Sequence, residues 1–173
     1  MQPSDNKWDW LGPGSYFWEE DPVRALEYAI NTSMGRQKNK TAADTPFVIG
    51  AIIDLGNCLN LVELTALDIL RAAFYGMEES IAKSGQPMPV NKGQNRALGC
   101  AVMKYIHETN RKLNLPAYDT IRCAFPEGGE AYPGAMITSR LHIQLCVCNP
   151  ECIKGYFLPR PTSRFNPHLI AVE

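Results

Sequence analysis

Hydrophobic and polar positions follow two rhythms along this chain. From Glu63 to Ser84 apolar residues return every three or four positions, at Leu64, Leu67, Leu70, Ala73, Phe74, Met77 and Ile81, and the spacing recurs from Gln94 to Leu113 at Leu98, Ala101, Val102, Tyr105 and Ile106. Both segments are predicted as amphipathic helices, each burying one stripe. A third helix is predicted after Asp21. This residue suits an N-cap, Pro22 suits the first helical position, and Val23, Leu26, Ala29 and Ile30 carry the stripe to near Asn31. The remaining apolar runs read as strands. Ser15 to Trp18 is short and aromatic and is punctuated in front by Gly12, Pro13 and Gly14. Phe47 to Ile53 is continuous, so it is predicted to be buried on both faces and to be extended by Leu59 to Leu61. Tyr118 to Phe125, Leu141 to Cys148 and Ile153 to Leu158 complete the set. Met34 to Asp44, Gly85 to Gly93 and Pro126 to Arg140 read as loops, and the Pro-rich stretch from Pro159 to Glu173 as an extended tail.

Strands and helices intersperse without regular alternation, and no internal repeat is present. The expected fold class is therefore α+β, one domain over residues 1–173 with a mixed or antiparallel sheet and the two long helices as an insertion. Composition agrees, since 173 residues of which 45% are hydrophobic can bury a substantial core. The 17 Lys and Arg nearly balance the 18 Asp and Glu, leaving a net charge of −1, which excludes a polybasic protein. No run reaches the ~20 apolar residues that cross a bilayer, and Met1 to Asn6 lacks the basic start of a secretory signal, so a cytoplasmic location and no membrane partner are expected. The six cysteines sit mostly in apolar runs and read as reduced, buried thiols. Cys146, Cys148 and Cys152 lack the paired C-x-x-C knuckles of structural zinc sites, so no metal is expected.

Two blocks carry candidate chemistry. The first is Gly12-Pro13-Gly14-Ser15-Tyr16-Phe17, followed by a helix carrying Ala25 and Tyr28. The second is His142-Ile143-Gln144-Leu145-Cys146-Val147-Cys148-Asn149, with Ile153 and Tyr156 beyond it. Strand alternation puts His142, Gln144, Cys146 and Cys148 on one face, so the His and the Gln are expected to point together into a cleft. These blocks, about forty residues together, resemble the ADP-ribosyltransferase fold in the form seen in poly(ADP-ribose) polymerases and diphtheria-toxin-like enzymes. The resemblance implies that family's split sheet and NAD as the substrate, with Tyr16 stacking on nicotinamide and Gly12 and Gly14 letting the backbone approach the ligand. Phe17, Arg24 and Tyr28 join the implied NAD site, Arg24 as a phosphate contact.

The family's catalytic Glu is matched by Gln144, which with His142 is placed near the ribose. Glu127 or Glu130, in the preceding loop, is then the implied source of a carboxylate, and Phe125 to Tyr132 is the implied acceptor loop. Trp8, Asp9 and Trp10 are candidate walls of a donor pocket. The family's first motif, a strand with His or Arg, has no counterpart in the fifteen residues before Tyr16, which implies a shortened or degenerate copy. The implied activity is transfer of ADP-ribose with release of nicotinamide to a macromolecular acceptor, protein or nucleic acid. In a bacterial toxin or phage-defence effector it brings an antitoxin or immunity partner. The alternative is a noncatalytic module that binds NAD, another nucleotide or a partner.

Overall fold

The computed structural model describes residues 3–36, 45–93 and 95–170. In chain order its elements are β1 (Ser15–Trp18), α1 (Pro22–Arg36), β2 (Gly50–Ile53), β3 (Cys58–Asn60), α2 (Leu64–Ser84), α3 (Ala97–Lys112), β4 (Thr120–Phe125), β5 (His142–Val147), β6 (Ile153–Phe157) and α4 (Thr162–Phe165). The fold is α+β, with a mixed four-stranded sheet and a separate antiparallel pair. The chain divides into two compact units, residues 1–16 with 55–152 and residues 17–54 with 153–173.

The sheet is ordered β1-β5-β4-β3, and the first unit holds β3, β4, β5, Ser15 and Tyr16 of β1, and the two long helices. Each helix forms where the periodicity puts it, and its ends have local causes. Gly85 closes α2 in the left-handed conformation (φ 67°) with its N–H on the Ala82 carbonyl. At the start of α3 the Asn95 side chain accepts from the Ala97 N–H at 3.0 Å; the expected start at Gln94 lies outside the described residues. Strands β4 and β5 are antiparallel, with Thr120 opposite Val147 and Phe125 opposite His142. Against expectation, β3 does not extend the Phe47 strand: Cys58 to Asn60 pairs in parallel with Thr120 to Arg122. The Asp54-to-Asn57 turn separates the two runs, and a strand's partner is set by tertiary pairing that its own sequence does not encode. Leu59, Ile121, Phe125 and Cys146 from the sheet pack with Met77, Val102, Met103 and Ile106 from the helices to form the core.

The second unit is built on the β2–β6 ribbon, with Gly50 opposite Phe157, and on α1 and α4. Asp21 caps α1 as its sequence predicts, its carboxylate accepting from the Arg24 N–H at 2.9 Å. The Phe47 to Ile53 run is not buried on both faces: only Gly50 to Ile53 is strand, it pairs with β6 alone, and Ile52 is 63% exposed. Nor is the stretch after Pro159 extended. It forms α4 and a 3₁₀ turn at Pro167–Leu169, and fully buried Asn166 holds Val48 by both backbone groups, accepting from its N–H and donating to its carbonyl at 2.8 Å each. The expected Met34 to Asp44 loop is helical through Arg36, and residues 37–44 and 171–173 lie outside the described part. Among the described residues, no helix is long and apolar enough to cross a membrane.

Candidate functional site

The two candidate blocks lie far apart in the chain and meet as adjacent strands, β1 against β5. The glycines allow the contact. A Cβ on Gly14 would lie 2.5 Å from Cys146 Sγ, and one on Gly12 (φ 79°) 3.1 Å from the Met103 side chain, so the close approach is to the protein's own β5 and α3. Tyr16 latches this turn. Its hydroxyl accepts from the Leu11 N–H at 3.0 Å and donates to the Gly12 carbonyl at 2.7 Å, while its half-buried ring packs on the core. Burial, reinforced by Cys146 beside it, pushes the Tyr16 phenol far above its ordinary value of 10.0.

The register of β4 and β5 places Cys123 opposite Gln144 and Phe125 opposite His142, on the face that also carries Ile121 and Cys146. Gln144 and His142 are brought together as expected from alternation. The Gln144 amide nitrogen donates to His142 Nε2 at 3.0 Å, which leaves the ring proton on Nδ1, donated to the Arg140 carbonyl at 2.8 Å. His142 is only 6% exposed and stacks on Phe125 at 5.9 Å, so its ring is packed rather than presented to an open cleft.

The loop between β4 and β5 is a hairpin extension held by its own backbone. Arg140 N–H bonds the Glu127 carbonyl, Ser139 N–H the Gly129 carbonyl, and Ala131 N–H the Ile137 carbonyl. The Glu130 carboxylate accepts from the Gly134 N–H at 3.0 Å, near a tip where Tyr132 and Met136 are exposed. The other residues of the implied site belong to the second unit. There Arg24 pairs with Glu27 at 2.7 Å, Phe17 is half-buried, and Tyr28 is exposed with its ring 4.9 Å from that of Trp18.

A cleft of about 550 Å³ opens in the first unit between the sheet and the N-terminal halves of α2 and α3. Leu70, Phe74, Val102 and Phe125 give it an apolar wall, and Arg71, Asn91 and Arg96 supply its polar groups. Trp10 lines this cleft, edge-on to Phe125 at 4.5 Å and with the Arg96 guanidinium 4.3 Å above its ring. Trp8 instead is half exposed, and Asp9 ties down the turn through Ser4 and the Asn6 N–H. The cleft suits an apolar or aromatic group carrying an anionic substituent. Its polar residues, and the contact between Cys148 and His107, were not singled out by the sequence pattern. They come from different elements with no shared periodicity; only alternation along β5 marked Cys148.

No family model, curated protein or solved structure matches this chain. Among the described residues, no group of three metal-ligating side chains is present.

Proposed function

We propose that this chain binds NAD and transfers its ADP-ribose unit to a macromolecular acceptor, releasing nicotinamide, on an ADP-ribosyltransferase type of fold. One observation carries the reading: the two blocks that resemble this family, at opposite ends of the chain, lie on adjacent strands, with Tyr16 beside Cys146 on the face shared by Gln144 and His142. A common donor site requires such a pairing. In this reading the Tyr16 ring stacks on nicotinamide and the Gln144 carbonyl oxygen accepts from a ribose hydroxyl. His142 fixes the Gln144 amide from its other end. The departing nicotinamide leaves an oxocarbenium-like ribose, and Glu127 or Glu130 on the hairpin steers the acceptor nucleophile to it.

The deciding experiment measures nicotinamide release from NAD by the purified chain offered cellular protein, RNA or DNA, with Tyr16→Ala and Gln144→Ala alongside. Release that depends on both residues and on one acceptor class supports the transferase and names its target. Absence of both NAD binding and release overturns it.

A second reading has its own observation. The β5 face carries His142, Gln144 and Cys146 but no carboxylate, and the Gln144 amide nitrogen is committed to His142. A noncatalytic module that binds a nucleotide, in the β1–β5 site or the Trp10 cleft, needs no more than this. It predicts NAD or nucleotide binding by calorimetry without nicotinamide release.

A further inference from the structure

Beyond the end of β5 lies a cluster that the transferase reading does not use. Cys148 Sγ sits 3.9 Å from Nε2 of His107 on α3, and both side chains are partly exposed. Neither group is free to drift. The Cys148 N–H donates to the Asp119 carbonyl at 2.8 Å, the Asn149 N–H donates to the same oxygen at 3.0 Å, and the Asn149 amide holds the Asp119 carboxylate at 2.8 Å. On the other side, the His107 ring stands edge-on to Tyr118, 6.3 Å away. A sulfur and an imidazole are thus fixed in contact by two independent supports.

The charged and titratable groups around the sulfur are His107, Asp119 and the buried thiol of Cys146. Hydrogen bonding from Cys146 and then from His107, with the attraction of the ring, draws the Cys148 thiol below the ordinary range. Burial and the Asp119 charge oppose this, and Cys146 is pushed up in return. The other cysteines differ. Cys100, Cys146 and Cys152 are buried, and burial pushes up the Cys123 thiol at the cleft. Cys58 is partly exposed and serves as the internal reference.

We propose that Cys148 is a reactive thiol site, activated by His107, that forms mixed disulfides with small-molecule disulfides. The Cys148 proton passes to His107 Nε2, and the thiolate attacks one sulfur of the disulfide. That S–S bond breaks, and the second sulfur leaves as a thiolate that takes the proton back from His107. The balance is one protein thiol and one disulfide in, one mixed disulfide and one small thiol out.

The test exposes the full chain to 2-hydroxyethyl disulfide and locates the adduct by peptide mass spectrometry. Cys148 is modified well ahead of Cys58. An ordinary thiol loses roughly a hundredfold in rate from pH 8 to pH 6, whereas Cys148 loses less than about fivefold, and His107→Gln slows it by at least about tenfold. Modification of Cys148 no faster than Cys58 at pH 6, or at an unchanged rate in His107→Gln, overturns the proposal. Should His107→Gln fail to fold, the thiolate absorbance of the wild type decides. An acid titration step below pH 7 that vanishes in Cys148→Ser supports the site, and a wild type without that step overturns it.

Discussion

Gly14 and Cys146 meet more closely than any side chain at residue 14 would allow. A Cβ built there falls 2.5 Å from Cys146 Sγ and 2.7 Å from the Val147 carbonyl oxygen, so the glycine permits β1 to lie against β5. Because one obstacle is backbone, rotation of the Cys146 side chain cannot relieve the clash. Gly14→Ala is expected to cost about 3 kcal/mol, at the upper end of overpacking penalties, read as a lower urea midpoint with unchanged slope. The double variant Gly14→Ala, Cys146→Ala recovers only part of the loss, since the Val147 oxygen remains. Full recovery would show that the sulfur alone sets the spacing.

The Tyr16 hydroxyl serves the same turn by a different means. It satisfies the N–H of Leu11, which is 2% exposed, and Tyr16→Phe orphans that donor. The expected cost is about 1–3 kcal/mol in chemical denaturation at pH 7. A pH dependence follows with a definite sign. The folded phenol is held far above its ordinary 10.0, so above that value the unfolded chain gives up a proton that the folded one keeps. The Tyr16 contribution is complete below pH 10 and falls above it by about 1.4 kcal/mol per pH unit. Tyr16→Phe therefore shows a shallower alkaline decline than wild type. Identical slopes would place the phenol in contact with solvent.

In the second unit a single side chain stands in for a missing strand partner. Asn166 bonds both backbone groups of Val48, as a neighbouring strand would, and is itself fully buried. Asn166→Ala leaves a buried N–H and C=O unpaired and opens a void, for roughly 2–4 kcal/mol. Hydrogen exchange locates the damage, with the Val48 amide losing protection while the Ile121 amide, in the first unit's core, keeps it. Unchanged protection at Val48 would mean that water replaces the asparagine without loss.

Which parts of this structure were legible in the sequence follows from the range of the forces involved. Helices α2 and α3 were legible because their stripes are local, and Asp21 and Gly85 mark helix ends through contacts within one turn. Pairing was not. Leu59 to Leu61 reads as a continuation of the preceding run, and only the parallel register of Cys58 to Asn60 with Thr120 to Arg122 makes a separate strand of it. Ile52 looks like core because apolar runs signal burial, yet a two-stranded ribbon leaves one of its sides to solvent. Asn166 reads as part of an extended tail because its partner is 118 positions away.

The candidate site divides in the same way. Alternation along one strand was enough to put His142 beside Gln144, and the turn glycines announced a close approach without saying to what. Cys148 with His107, and Trp10 with Arg96 and Phe125, join elements whose spacing no periodicity fixes.

The Gln144–His142 contact supplies the sharpest functional prediction. In the transferase reading Gln144 stands where the resembling family places a Glu; the two side chains are close in size and shape, and they differ in charge and in the N–H that the amide donates to His142 Nε2. Gln144→Glu keeps the same reach toward a ribose hydroxyl and gives up the N–H that His142 Nε2 accepts at 3.0 Å. A carboxylate there stabilises positive charge developing on the ribose, where the amide offers only a dipole. NAD affinity is therefore expected to stay within about threefold of wild type, less than 1 kcal/mol, while nicotinamide release rises by an order of magnitude or more. Side-by-side calorimetry and product chromatography on the two proteins measure both quantities. Affinity that survives with release still absent leaves the chain a binding module. Affinity kept in both Tyr16→Ala and Gln144→Ala places the nucleotide away from β1 and β5, with the Trp10 cleft as the next site to map.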